Sequence, residues 1–401
     1  MGGDERAASR RATAGTAVAA CCALALLTFA PRAIVGVYQR QLLNAFDLGG
    51  DIGANWQAAQ ALCWGVCAPF AGMIADRLGY FHAAAIGAVL SAIAIAALGI
   101  STEPANLVFF AGALLGAGLS GFAFPLALVP AARLDAGRGA GLVAASAAFG
   151  PFVFTPMAFA LLASIGWVGG VAVFAAALCG GAAVATAFAR RAKPPTQSGD
   201  IAGGQPSFAA LGFVVAVAGV DFAFVSQRFQ RYVFDAELSA NTGASLLIAF
   251  CAASVASAFA AGALSRARPG RVLAAVGAAR LALTLWLILA PPSRNSAFVA
   301  AALHGATWLS LWPPVAALAT RWFGPEKTGF RLGPGIRLGL CVLAWQIGGL
   351  AGGWAHFRFG ASLPLWWALT AMTALAIWPC AGFDGGFSSA RSVLPQRRTE
   401  P

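Results

Sequence analysis

Gly72-Met73-Ile74-Ala75-Asp76-Arg77-Leu78-Gly79 returns in altered form about 190 residues later, as Gly262 followed by Ser265-Arg266. Other marks recur at the same offset and in the same order. Gln39-Arg40 becomes Gln230-Arg231. Asn106, Gly116 and Pro125 become Asn295, Gly305 and Pro314, Arg133 becomes Arg321, and Gly139 becomes Gly329. One or two such matches arise by chance in a chain rich in Gly and Ala. An ordered series points to a duplicated unit, each copy being one half of the fold.

Composition says what kind of unit it is. Apolar residues make up 59% of the 401 and charged residues 10%, against about a quarter charged in soluble domains. Cutting the chain at its charged and Pro/Gly breaks leaves apolar runs of about 17 to 25 residues, the length that crosses a bilayer. No water satisfies the backbone there, so each run has to be a helix. The alternating pattern of a membrane barrel is absent. Twelve spans are expected, at about 15–37, 52–75, 82–101, 106–130, 139–163, 166–189, 207–229, 241–264, 272–290, 296–320, 334–357 and 363–383. Spans one to six map onto seven to twelve at the repeat offset. The fold class expected is therefore an all-α membrane protein of two pseudo-symmetric six-helix bundles, 1–189 and 207–383. A cytoplasmic linker at 190–206 and a cytoplasmic tail at 384–401 complete it. Arg10-Arg11 ahead of Cys21–Phe29 has the look of a signal peptide. Removing span one, however, would leave span seven without a partner.

The net charge of +12 is read as an orientation signal. Most Lys and Arg fall in the loops and termini on one side, and the other side keeps Arg40, Arg228, Arg231, Arg294 and Arg358. Basic loops stay inside, so both termini are expected in the cytoplasm, with the chain multi-pass in the inner (plasma) membrane. A nucleic-acid partner would need those charges on one compact face, and none is expected. The eight Cys fall inside spans. Cys63 and Cys67 share a helix face without His or Asp beside them, so small apolar packing is preferred to a metal or disulfide. No metal and no cofactor is expected, and the expected unit is a monomer. No nucleophile–base pair or Lys-bearing Gly-rich nucleotide loop appears, which argues against an enzyme and against direct use of ATP.

The Gly72–Gly79 stretch, lying between spans two and three, resembles the loop signature of the major facilitator superfamily. That pattern is Gly, three residues, Asp, Arg or Lys, one residue, Gly. The family pattern goes on with two basic residues where this chain has Tyr80 and Phe81, followed by His82. The resemblance implies that Gly72, Asp76, Arg77, Gly79 and Arg133 latch one conformation and part in another. Gly72 allows close helix approach. Asp76 can sit at the positive end of a neighbouring helix or pair with Arg77 or Arg133. Ser265 in the second copy implies an asymmetric latch. Two further stretches, Arg138–Trp167 with Phe149-Gly-Pro-Phe-Val-Phe-Thr-Pro156, and Trp322-Phe-Gly-Pro-Glu-Lys-Thr-Gly329, resemble the oxalate/formate and monocarboxylate porter branch. That branch often has an Asp and an Arg four apart in span eight, where this chain has Ser254 and Ala258.

An ionisable group in the bilayer costs about 2.5–3.5 kcal/mol and marks function by default. Arg32, after Pro31, lies two-thirds along span one. Asp221 lies at a similar depth in span seven, within two residues of the repeat position of Arg32. In the superfamily fold, spans one and seven face each other, which implies a cation opposite an anion. Either Arg32 attracts an anionic substrate while Asp221 carries a coupling proton, or the two form a fixed ion pair. Arg280 in span nine is expected to snorkel or to bond a neighbouring helix. His304, Trp308 and Trp312, spaced by four, share a face that either lines a cavity or packs helices. Tyr38, Gln57, Gln60, Trp345 and Gln346 are further candidates for contact with a substrate. Gly150-Pro151 partly resembles the hinge of superfamily exporters.

Three functions stay open. The first is a secondary transporter of a small anionic, carboxylate-type metabolite by alternating access, proton-coupled (symport or antiport) or by exchange, with its site between the halves. The second is a proton-driven exporter of drugs or metabolites. The third is a non-transporting sensor or cofactor-delivery protein on the same scaffold.

Overall fold

A computed structural model describes residues 2–45, 50–101, 103–134, 139–190, 208–236, 238–321, 333–360 and 362–384. The linker beyond Arg190, the tail beyond Asp384, Arg138 and the stretch Trp322–Gly329 lie outside the described residues. No strand occurs among those described. In chain order the helices are α1 (Gly2–Leu27), α2 (Ala30–Val37), α3 (Gln39–Ala45), α4 (Gly50–Leu78), α5 (Tyr80–Ile100) and α6 (Pro104–Leu107). A π-helical segment, Val108–Leu114, leads into α7 (Leu115–Phe122) and α8 (Phe124–Leu134). There follow α9 (Gly139–Ala189), α10 (Phe208–Asp235), α11 (Ala240–Leu264), α12 (Pro269–Leu289), α13 (Arg294–Trp308), α14 (Trp312–Arg321), α15 (Pro334–Phe359) and α16 (Leu363–Gly382).

Ten of the described helical stretches are long and apolar enough to cross a membrane. The two remaining spans are present in other forms. Helix α9 covers spans five and six, divided at Gly166, whose φ of 73° and ψ of 177° leave the helical region. A positive φ strains any residue with a Cβ, so glycine is the residue suited to this break. Span ten is divided into α13 and α14 by the non-helical residues 309–311. Counted this way the fold is two six-helix halves.

Local chemistry places the ends of these helices. Pro31, Pro269, Pro334 and Pro364 stand in the first turns of their helices, where no intrahelical N–H is lost. Ser293 and Ser296 cap the start of α13 reciprocally, satisfying donors that a membrane helix end would otherwise strand. Asp384 caps α12 through the amides of Gly270 and Arg271, at 2.9 Å each.

The halves meet through glycines. Helix α4 of the first half lies along α15 of the second, and α11 of the second lies along α9 of the first. A Cβ added at Gly72 would fall on Gly335 O, and one at Gly262 on Gly141 Cα. Backbones therefore touch at both crossings, as small-residue membrane interfaces permit. The repeat recognised from Gly72 and Gly262 thus maps onto two close glycine crossings between the halves.

A bulkier side chain at Gly72 should part α4 from α15. Overpacking costs about 1–3 kcal/mol, enough to shift a balanced equilibrium by about fivefold to a hundredfold. We expect Gly72→Val to lengthen the distance between spin labels on the Asp76 end of α4 and the Gly335 end of α15. An unchanged distance distribution would show that the contact does not set this conformation.

Candidate functional site

Helix α15 begins where α4 ends, and Asp76 joins them. Its Oδ1 accepts from Gly335 N at 2.8 Å and its Oδ2 from Ile336 N at 2.9 Å. A carboxylate on the exposed amides of a helix N-terminus meets both their hydrogen bonds and the positive end of the dipole. Gly333 and Gly335 leave room for it, since a Cβ at either would collide with the Asp76 carboxylate. Among the partners expected for Asp76, the helix end is found. The expected pair with Arg77 is not formed: Arg77 is exposed and makes no ion pair among the described residues. Arg133 lies in the last turn of α8, and its side chain is outside the described residues. Gly79, at φ 100°, separates α4 from α5.

Beyond this contact the halves enclose a cavity of about 910 Å³. The α4 residues lining it run from Gln57 to Trp64, so Trp64 sits about 18 Å along the helix from Asp76. The α15 residues lining it run from Val342 to Phe357. The cavity therefore lies on the side of the molecule away from the Asp76 contact. Six of the expected residues line it: Arg32, Gln57, Trp308, Trp312, Trp345 and Gln346.

Arg32 is exposed to this space. Its guanidinium carbon lies 5.8 Å from the ring centre of Phe29 and 5.3 Å from that of Trp64, close enough for cation–π attraction. It forms no salt bridge with any described carboxylate. Around it the walls are aromatic. Phe29 meets Trp308 across the halves at 5.2 Å, and Phe124 meets Trp312 likewise at 6.2 Å. Phe222 stacks at 9° to Trp308, with centroids 6.5 Å apart.

Four of the expected residues do not line the cavity. Asp221 does not face Arg32. It is 2% exposed inside the second half, with Oδ2 3.4 Å from Arg280 Nη1 and Oδ1 accepting from Thr284 Oγ1 at 3.0 Å. On a helix each residue turns by about 100°, so Phe222 and Ala223 face the cavity while Asp221 faces α12. Tyr38 is fully buried and donates to Ala158 O at 3.0 Å, fixing the first helix to α9. Gln60 donates from Nε2 to Ala111 O at 3.0 Å in the π-helical segment. His304 is buried, lies 3.2 Å from Ser226 Oγ and stacks on Phe222 at 5.4 Å behind the cavity wall.

Arg280, expected to snorkel or to bond a neighbour, bonds to two. Nη1 donates to Ala218 O at 2.7 Å and Nη2 to Thr307 O at 2.8 Å. Thr307 precedes the break at 309–311, where carbonyls lack their usual helical donors. Arg280 therefore ties α10, α12 and the broken span ten together, with its guanidinium 5.3 Å from the Trp345 ring. Several lining residues went unforeseen, among them Trp64, Phe222, Gln227 and Trp354. Two carried signals. Phe222 stands 190 residues after Arg32, and Trp64 lies two turns beyond Gln57 on the same helix face. Among the described residues no group of His, Cys, Asp and Glu is arranged to hold a metal.

Breaking a buried ion pair from one side costs about 3–5 kcal/mol, whereas apolar replacement of both partners is often neutral. Asp221→Leu alone should lower thermal stability by that order, and Asp221→Leu with Arg280→Met should recover most of it. Thermal unfolding of both variants in one detergent measures the difference; equal losses would show that the pair is not the unit.

Comparison with solved structures finds likeness over nearly the whole chain. A variant of the E. coli fucose:proton symporter FucP is 18% identical, with TM-score 0.66, covering 92% of this chain and 98% of that one. FucP in the outward conformation gives 16% identity and TM-score 0.64, over 92% and 97%. The human organic anion transporter MFSD10 (TETRAN) gives 16% and 0.66, over 92% and 99%. At such identities the likeness speaks for the fold alone. Comparison with curated protein sequences finds no match. The sequence profile described as Major Facilitator Superfamily matches residues 20–333, more than half of the 401, and the chain belongs to that superfamily.

Proposed function

We propose that this protein is a secondary transporter that moves a small organic anion by alternating access. One observation carries the reading: Arg32 is a cation without a carboxylate partner, exposed in a cavity between the halves. An arginine within a membrane needs a counter-charge. Three amides nearby, Gln57, Gln227 and Gln346, supply neutral donors and acceptors. Among the described residues no Asp or Glu lines this space, so a cationic substrate would meet repulsion from Arg32 alone.

The halves 1–189 and 207–383 rock about this cavity. Asp76 on the N-terminus of α15, with the two glycine crossings, holds them together at one end. By the distribution of Lys and Arg that end is cytoplasmic, as are both termini, and the arrangement is outward-facing in a plasma membrane. Its opening to the other side requires Asp76 to leave the α15 amides, and Ser265 offers no matching carboxylate at the second crossing. The oxalate/formate and monocarboxylate likeness agrees with an anionic substrate but rests on sequence stretches alone. In this reading the anion is bound by Arg32 of span one, since Ser254 and Ala258 provide no charge in span eight.

Coupling to protons is assigned to Asp221. It acts within the second half, through Arg280 and the break at 309–311, rather than across from Arg32. Asp221→Asn keeps the bond to Thr284 and removes the titratable charge. It should abolish proton-driven uptake while sparing exchange, and uptake that still follows the pH gradient would remove Asp221 from the coupling step.

Arg32→Gln tests the anion site. Binding of an organic anion should weaken by about tenfold to a hundredfold, as loss of a charge-assisted hydrogen bond requires, with thermal stability nearly unchanged. Equal anion binding by the variant, measured by calorimetry on purified protein, would overturn the proposal.

A further inference from the structure

The composition of the cavity narrows the substrate class. We infer that the site takes an aromatic monocarboxylate: one negative charge on a flat ring. The inference rests on the anion reading of the same cavity.

The charge count is the first argument. Among the described lining residues Arg32 is the one charged side chain. One carboxylate neutralises it. A second carboxylate on the same ligand would enter with no cation to receive it, and an unpaired charge in this setting is strongly disfavoured. The nearest further buried cation, Arg280, is already held by Asp221, Ala218 O and Thr307 O.

The walls are the second argument. Rings follow one another around the space: Phe29 against Trp308 at 5.2 Å, Phe222 against Trp308 and Trp345 at 6.5 and 5.5 Å, and Trp312 against Trp345 at 5.7 Å. These rings belong to both halves. A planar apolar body placed among them gains stacking or edge contacts on several sides. A short aliphatic acid would satisfy Arg32 and leave these faces without contact. A sugar acid would set its hydroxyls against walls that are mostly apolar and rich in aromatic rings, and each hydroxyl left without a partner weakens binding. Phe29 and Trp64 hold the guanidinium of Arg32, and Trp308 touches the same Phe29, so the rings stand close to where a carboxylate would meet Arg32.

The experiment is equilibrium binding of radiolabelled phenylacetate to the purified full-length protein, competed by unlabelled benzoate, lactate, succinate and neutral phenylacetamide. Benzoate should compete at a concentration at least about tenfold below lactate or succinate, and phenylacetamide should not compete. Arg32→Gln should lose phenylacetate binding. Trp308→Leu should weaken phenylacetate by about threefold to tenfold and leave lactate unchanged. Trp354→Leu, at a lining ring that is 61% exposed, serves the same purpose should the first variant fold poorly. Labelled lactate or succinate binding tighter than phenylacetate, and lost in Arg32→Gln, would overturn the aromatic class and leave the anion site standing. Equal loss of phenylacetate and lactate in the Trp variants would overturn the role of the rings. Binding of no anion by the wild-type protein, or full binding by Arg32→Gln, would overturn both readings.

Discussion

Two backbones can touch only where neither carries a Cβ, and the conformation of this protein depends on that. At Gly72 and Gly335 helices from opposite halves come into contact, and Asp76 then reaches the amides that open α15. A carboxylate in a helix terminus binds without needing a cation, so the contact is both apolar in its packing and ionic in its hold. Closure at this end leaves the space beyond it open, and the position of the cavity follows.

Within that space the account turns on which charges are matched. Asp221 and Arg280 pair inside one half, and the two terminal nitrogens of Arg280 also donate to backbone carbonyls, one of them beside a helix break. The pair thus belongs to the architecture of the second half and couples α12 to span ten. Arg32 is different. It is held by rings on one side and faces open volume on the other. In the proposed reading, an anionic ligand supplies its counter-charge.

Much of the fold was legible in the sequence. Hydropathy gave the number of spans because a bilayer imposes length, and Gly72 and Gly262, legible as repeat marks, fall at two crossings between the halves where a Cβ would not fit. The breaks were harder. Span ten reads as one apolar run, and nothing in His304–Pro314 says that residues 309–311 leave the helix apart from Pro313-Pro314 just beyond. The site was legible only in part, for a geometric reason. Helical spacing tells which residues share a face but not which way the face points. His304 shares its spacing with Trp308 and Trp312, yet a small rotation puts it behind Phe222 on Ser226. Asp221 precedes Phe222 by one residue and points elsewhere. Tyr38 and Gln60 carry polar tips that suit a substrate equally well, and both are taken by carbonyls of the protein.

The central claim is that an anion is captured by Arg32 between the halves. The most direct measurement is a cryo-electron microscopy map of the full-length protein saturated with an organic anion that it binds. The account predicts ligand density against the Arg32 guanidinium, flanked by Trp64 and Trp308, with Asp221 still on Arg280. Density that avoids Arg32, or an Arg32 paired with a carboxylate of the protein in the bound state, would contradict it.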